Sequence, residues 1–214
     1  MANTKHLLRA EPHEWLGDWH PLAEQLGSTD GLLTLASVSK LLRVRAVVDL
    51  KSLREFLQQY HSQILIPHEL PAIRRAYEQA SRGEVRELIQ FDVQLNSEDN
   101  LRLFANASER VGRAQLQKLR PLRDQRIVQR YLAAVENDEA RGWHTIVFGM
   151  TLAIYSLPLR QGLLGYAFQT TRGFIHSAAR ELHVSEKKCR TLLEEICDPI
   201  PAAVETLLGE LTVV

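Results

Sequence analysis

Apolar residues recur at three- and four-residue spacing along most of the chain, a rhythm that predicts helices nearly everywhere. From Glu98 to about Arg120 the apolar and small positions are Leu101, Phe104, Ala105, Ser108, Val111, Gly112, Leu116 and Leu119, which make one stripe. Ser108 and Gly112 lie one turn apart on it and leave room for another backbone. Val44 to Val48 is β-branched, but it continues a helical pattern from Leu32. Asp49 or Ser52 starts the next helix, and Ser52 with Glu55 has capping-box spacing ahead of Phe56 and Leu57. Pro67 and Pro71 punctuate the joint that follows. Helical residues then run to a stop at Gly83, and again from Glu84 to Leu95, with a break at Asn96-Ser97.

Beyond Pro121 a further helix reaches Val135, and the polar segment Glu136–Gly142 reads as a loop. From His144 the chain carries an apolar run, a Ser156-Leu157-Pro158 turn, and a second run spotted with glycine and alanine to about Leu182. This is the pattern of two closely packed interior helices. Ser185 caps a short helix through Ile196, and Asp198-Pro199-Ile200-Pro201 breaks the chain before a last helix. The expected fold is an all-α, single-domain bundle of nine or ten helices over residues 1–214, with 1–20 as a loosely attached N-terminal arm.

Composition narrows the function classes. Lys and Arg number 26 against 26 Asp and Glu, so no overall field draws the chain to nucleic acid or membrane. The run from Thr145 to Leu157 falls short of the roughly 20 residues a bilayer span needs. Neither does the start of the chain carry a signal-like apolar core. The two cysteines, Cys189 and Cys197, would stand roughly 12 Å apart along one helix, too far for a disulfide. These features predict a cytoplasmic protein.

The search for chemistry yields little. The eight histidines include seven-residue steps at His6, His13 and His20, at His61 and His68, and at His176 and His183. On a helix such steps separate side chains by roughly 10.5 Å, so no pair shares an ion locally and no local metal site is expected, while a site built from distant histidines or across a dimer stays open. Glu194-Glu195 points two ways on a helix, and Glu136, Asp138 and Glu139 sit in the polar loop. Lys187, Lys188 and Arg190 beside Cys189 favour a thiolate, but no base accompanies it. No catalytic residue and no cofactor site is expected.

The residues from His144 onward nonetheless resemble the urease accessory protein UreF family. His144, Val147-Phe148-Gly149, Leu157-Pro158, Ser177-Ala178-Ala179 and Arg180 through Leu182 stand in the order and spacing of that family's pattern. Upstream, Ala107-Ser108 and Val111-Gly112-Arg113-Ala114 resemble its Ser-x-x-x-Gly helix, and Leu53–Leu57 is similar as well. The resemblance spans roughly residues 25 to 195. The chain departs from the pattern at Gly27–Gly31 with Ser37–Lys40, and at Ser185–Arg190, where the family has Gly-Gln-x-x-Gly-Gln.

The resemblance implies a non-enzymatic chaperone, often dimeric, that assists nickel insertion and urease metallocentre assembly. Its implied partners are UreD/UreH-type accessory proteins, the nickel GTPase UreG and apo-urease. Arg110, Arg113 and Arg180 are the expected interface contacts, and His144 either joins them or orients the start of the apolar helix. Gly112, Gly149, Ala178 and Ala179 are assigned to packing. Two other classes stay open on the residues alone: a helical-bundle enzyme holding a haem or small cofactor, and a partner-binding module of an unrelated pathway.

Overall fold

Asp49 sets the first helix among the described residues, here seen in a computed structural model that describes residues 45–102 and 105–209, less the side chains at 99, 100, 180 and 181. The expected N-terminal arm, His6, His13, His20, the helix start at Leu32, the 27–40 segment and Phe104 lie outside the described residues. Asp49 is the N-cap of α1 (Leu50–Tyr60), and its carboxylate accepts the Ser52 N–H at 2.7 Å while Ser52 Oγ accepts the Asp49 N–H at 3.0 Å. The capping box thus joins Asp49 to Ser52, one turn earlier than the expected Ser52–Glu55 pair. Arg45 to Val48 carry no regular structure, contrary to the helix expected there.

The Pro67 joint differs most from expectation, because the helix does not stop. An α-helix would need an N–H that Pro67 lacks and would press its ring on the preceding turn. The chain instead widens into a π-helical segment (His61–Glu69), with the Leu70 N–H reaching the Leu65 carbonyl, and passes straight into α2 (Leu70–Ser81). Pro71 sits in the first turn of α2, where no N–H is required. Gly83, at φ +71°, ends this rod as expected: its N–H bonds the Ala80 carbonyl at 3.0 Å, and the Glu84 N–H bonds the Gln79 carbonyl at 2.9 Å.

The remaining elements are α3 (Val85–Leu95), α4 (Asp99–Arg102), α5 (Ala105–Leu119), α6 (Arg126–Glu136), α7 (His144–Ile154), α8 (Leu159–Leu182), α9 (Glu186–Cys197) and α10 (Ile200–Gly209). The described residues are all-helical, with no strand. With the single-turn α4 set aside, the described residues make seven rods, fewer than the nine or ten expected. The prolines account for the difference: Pro67 is absorbed by the π turn, and Asp198, before Pro199, keeps helical dihedrals of φ −53°, ψ −43° between α9 and α10.

The core is built around α7. Every residue from His144 to Leu152 is buried, so this helix has no solvent face. α2 lies along it, and a Cβ on Gly149 would meet the Ile73 carbonyl at 2.4 Å and Ala76 Cβ at 2.8 Å, so only glycine lets the two rods approach this closely. α5 packs against α7, and α3 packs on α2 and α6. α8 lies against α1, α2 and α7 on one side and carries α9 and α10. Phe174 of α8 meets Phe56 and Tyr60 of α1 edge-on, with ring centroids 5.4 and 4.9 Å apart. Among the described residues no helix is long and apolar enough to cross a membrane.

Candidate functional site

The start of α7 is held by a carboxylate from another helix. Asp92 of α3 is 0% exposed. Its Oδ2 accepts the Tyr131 hydroxyl at 2.5 Å and the backbone N–H groups of Gly142 and Trp143 at 3.1 and 3.0 Å. Its Oδ1 accepts the Arg141 N–H. These four bonds tie Asp92 to the Arg141–Trp143 chain and to Tyr131, and so fix that segment. Burial, then the Asp92 charge, pushes the Tyr131 phenol well above its ordinary range.

α5 completes this junction from the far side. Ser108 Oγ accepts the His144 N–H at 3.0 Å, which satisfies one donor at the N-terminus of α7. One turn on, a Cβ at Gly112 would fall 2.0 Å from the Gly142 carbonyl oxygen and 2.7 Å from the His144 nitrogen. The expected close backbone approach at Ser108 and Gly112 is therefore real, and its partner is the 142–144 segment. Arg113 lies at the rim, where its Nε donates to the Arg141 carbonyl at 2.9 Å and a terminal nitrogen stands 3.5 Å from Asp138. Glu109 joins the rim; burial raises its pKa, and the charges of Arg141 and Arg113 offset part of that.

A second buried polar group surrounds the π-helical segment. Glu69, 5% exposed, accepts the Tyr60 hydroxyl at 2.5 Å. Burial first, and the Glu69 charge second, raise the phenols of Tyr60 and Tyr166 well above the usual range. His61 Nε2 lies 2.7 Å from Thr171 Oγ, whose own proton goes to the Ala167 carbonyl at 2.8 Å. The imidazole is accordingly assigned as the Nε2–H donor. Burial lowers the His61 pKa to about 4, opposed in part by Glu69.

The expected contact residues are scattered. Arg110 is exposed on α5. Arg113 is half-exposed and engaged with Arg141 and Asp138. Arg180 belongs to α8, and its side chain is outside the described set. His144 is corrected as a surface contact: it is 1% exposed, with its ring 6.1 Å from Phe148 and 5.7 Å from Tyr166. Nor does its side chain cap α7, since Ser108 and Asp92 serve that end. Cys189 and Cys197 share α9, both as free thiols. At Cys189, partly buried, burial raises the pKa, against the direction in which the neighbouring cations act. Among the described residues no group of three or more His, Cys, Asp or Glu could hold a metal ion.

Asp92 and Glu69 are the residues a reading of the sequence passes over. Each leaves a signal: Asp92 sits at the apolar spacing of Leu88 and Leu95, and Glu69 at that of Leu65 and Ile73. A carboxylate on an apolar stripe announces a buried acceptor in need of donors.

A model of the family described as UreF matches residues 47–196, well over half of the chain. No curated protein matches it.

Proposed function

The chain belongs to the UreF family and so to the urease accessory proteins, and from that premise we propose that it is a chaperone assisting nickel insertion and assembly of the urease metallocentre. It does so by bridging other accessory proteins. The family consists of accessory proteins rather than enzymes. The observation that carries the reading is the family match over 47–196.

The proposed partners are a UreD/UreH-type accessory protein, the nickel GTPase UreG and apo-urease, met by a homodimer of one-domain all-α chains in the cytoplasm. Cofactor, nucleic acid and membrane have no part in this reading. Arg110 and Arg113 on α5 and Arg180 on α8 are proposed as contacts. Arg113 is pinned to the Arg141–Trp143 segment, so a contact there is pre-organised and loses little side-chain entropy on binding. His144 is given a positioning role at the start of α7.

Co-expression with apo-urease and the other accessory proteins tests the proposal. Urease activity is expected to depend on this chain, and an accessory protein is expected to co-purify with it. Activity that is unchanged when the chain is left out, with nothing co-purifying, would overturn it.

A further inference from the structure

Charge is balanced over the whole chain, yet residues 118–130 hold Lys118, Arg120, Arg123, Arg126 and Arg130 against Asp124 alone. The fold brings these residues to the corner between α5 and α6. The turn there is braced: Gln129 of α6 donates to the Arg120 and Leu122 carbonyls at 3.2 and 3.0 Å. Arg120 pairs with Glu136 at the far end of α6. Arg123, Arg126 and Arg130 are exposed, and among the described residues their guanidinium groups meet no carboxylate and no hydrogen-bond acceptor. Arg126 and Arg130 stand one turn apart, on the opposite side of α6 from Val128, Tyr131 and Leu132 in the core.

An ordinary solvated helix face is arranged differently. The first turn of a helix favours acids, because its unpaired N–H groups carry partial positive charge. α6 opens instead on Arg126, has no acid in its first turn and no side-chain cap. Among the described residues no ion pair to Arg123, Arg126 or Arg130 offsets that local cost. All three free cations are arginine, whose planar fork matches a carboxylate in two-point contact. Nucleic acid is the weaker fit, since proteins that bind it typically neutralise about 6–10 phosphates along a track, and this corner offers three free guanidinium groups on a chain of zero net charge.

We propose that the α5–α6 corner is a docking surface for an acidic segment of a partner protein, held by Arg123, Arg126 and Arg130. This deepens the accessory-protein reading and takes from it only that the chain works by binding other proteins.

The test uses the full chain and the charge-reversal variant Arg123→Glu/Arg126→Glu/Arg130→Glu, with Lys187→Glu/Lys188→Glu on α9 as the control. The milder Arg123→Gln/Arg126→Gln/Arg130→Gln variant serves if reversal disturbs folding by circular dichroism. Fluorescence anisotropy with a labelled oligoglutamate peptide, and separately with a short DNA duplex, is read at low and high salt. The unaltered chain and the α9 control should bind the peptide alike, and the corner variants should lose at least about tenfold in affinity. No peptide binding, equal binding by the corner variants, or tighter binding of DNA would overturn the proposal. Co-purification of accessory proteins is scored in parallel. If the peptide result holds and no accessory protein binds the unaltered chain, the corner stands and the urease reading falls.

Discussion

Gly112 and Gly142 touch: a methyl group on the first would lie 2.0 Å from the carbonyl oxygen of the second. Both sides of that contact are backbone, so neither can swing aside. Gly112→Leu should overpack the junction and cost about 1–3 kcal/mol. In a chain of this size that lowers the melting midpoint by roughly 2–4 °C per kcal/mol. Thermal unfolding followed by circular dichroism checks it, and an unchanged midpoint would refute the contact.

Removing the acceptor at Asp92 should do more harm. Asp92→Ala leaves the Tyr131 hydroxyl and three backbone N–H groups without their shared partner. Each buried orphan costs about 1–3 kcal/mol, so the variant is expected to lose on the order of 3 kcal/mol or more. Tyr131→Phe removes one donor of the four and should lose only about 1 kcal/mol. Denaturant unfolding of the pair decides it; equal losses would mean that Asp92 does not organise the Arg141–Trp143 segment.

The buried His61 makes stability depend on pH. Its folded pKa of about 4 lies below its ordinary 6.5. Between those values the unfolded chain binds the proton and the folded chain does not, so stability is complete above pH 6.5 and is lost as pH falls toward 4. The loss contributed by His61 is on the order of 3 kcal/mol. His61→Gln has no such titration, and its unfolding free energy should fall less steeply across the window. Parallel slopes for the two proteins would count against a buried neutral imidazole.

Both thiols should be sluggish. Burial raises the pKa of Cys189 and pushes that of Cys197 up to about 12, and the thiolate is the reactive form. Titration with a chromogenic disulfide near neutral pH should label each more slowly than a free thiol, with Cys197 the slower. Denaturant should release both. Rapid labelling of Cys197 in the folded protein would contradict its burial.

The sequence carried more of the fold than of the site. The α5 stripe, the Gly83 stop, the long α8 and the buried α7 follow from apolar spacing, which the core reads directly. Pro67 misled because a proline is a local signal, whereas the π turn that accommodates it is also tied to α8 through His61 and Thr171. The junction at the start of α7 was half legible: Ser108 and Gly112 marked α5 as a contact face, but Asp92 joins residues some fifty positions apart, which no local spacing encodes. The resemblance pointed to His144, whose backbone N–H rather than its ring meets Ser108.

The π turn has a consequence for how the two ends of the protein are joined. Since the helix never breaks between Leu50 and Ser81, its first half lies against α9 and its second half against α7 and α3, with α8 alongside both. The widened turn shifts the angular phase between those halves, so that one continuous shaft engages two different packing faces. The same shaft that meets α9 near its start is thus seated against Gly149 and the centre of the molecule near its end.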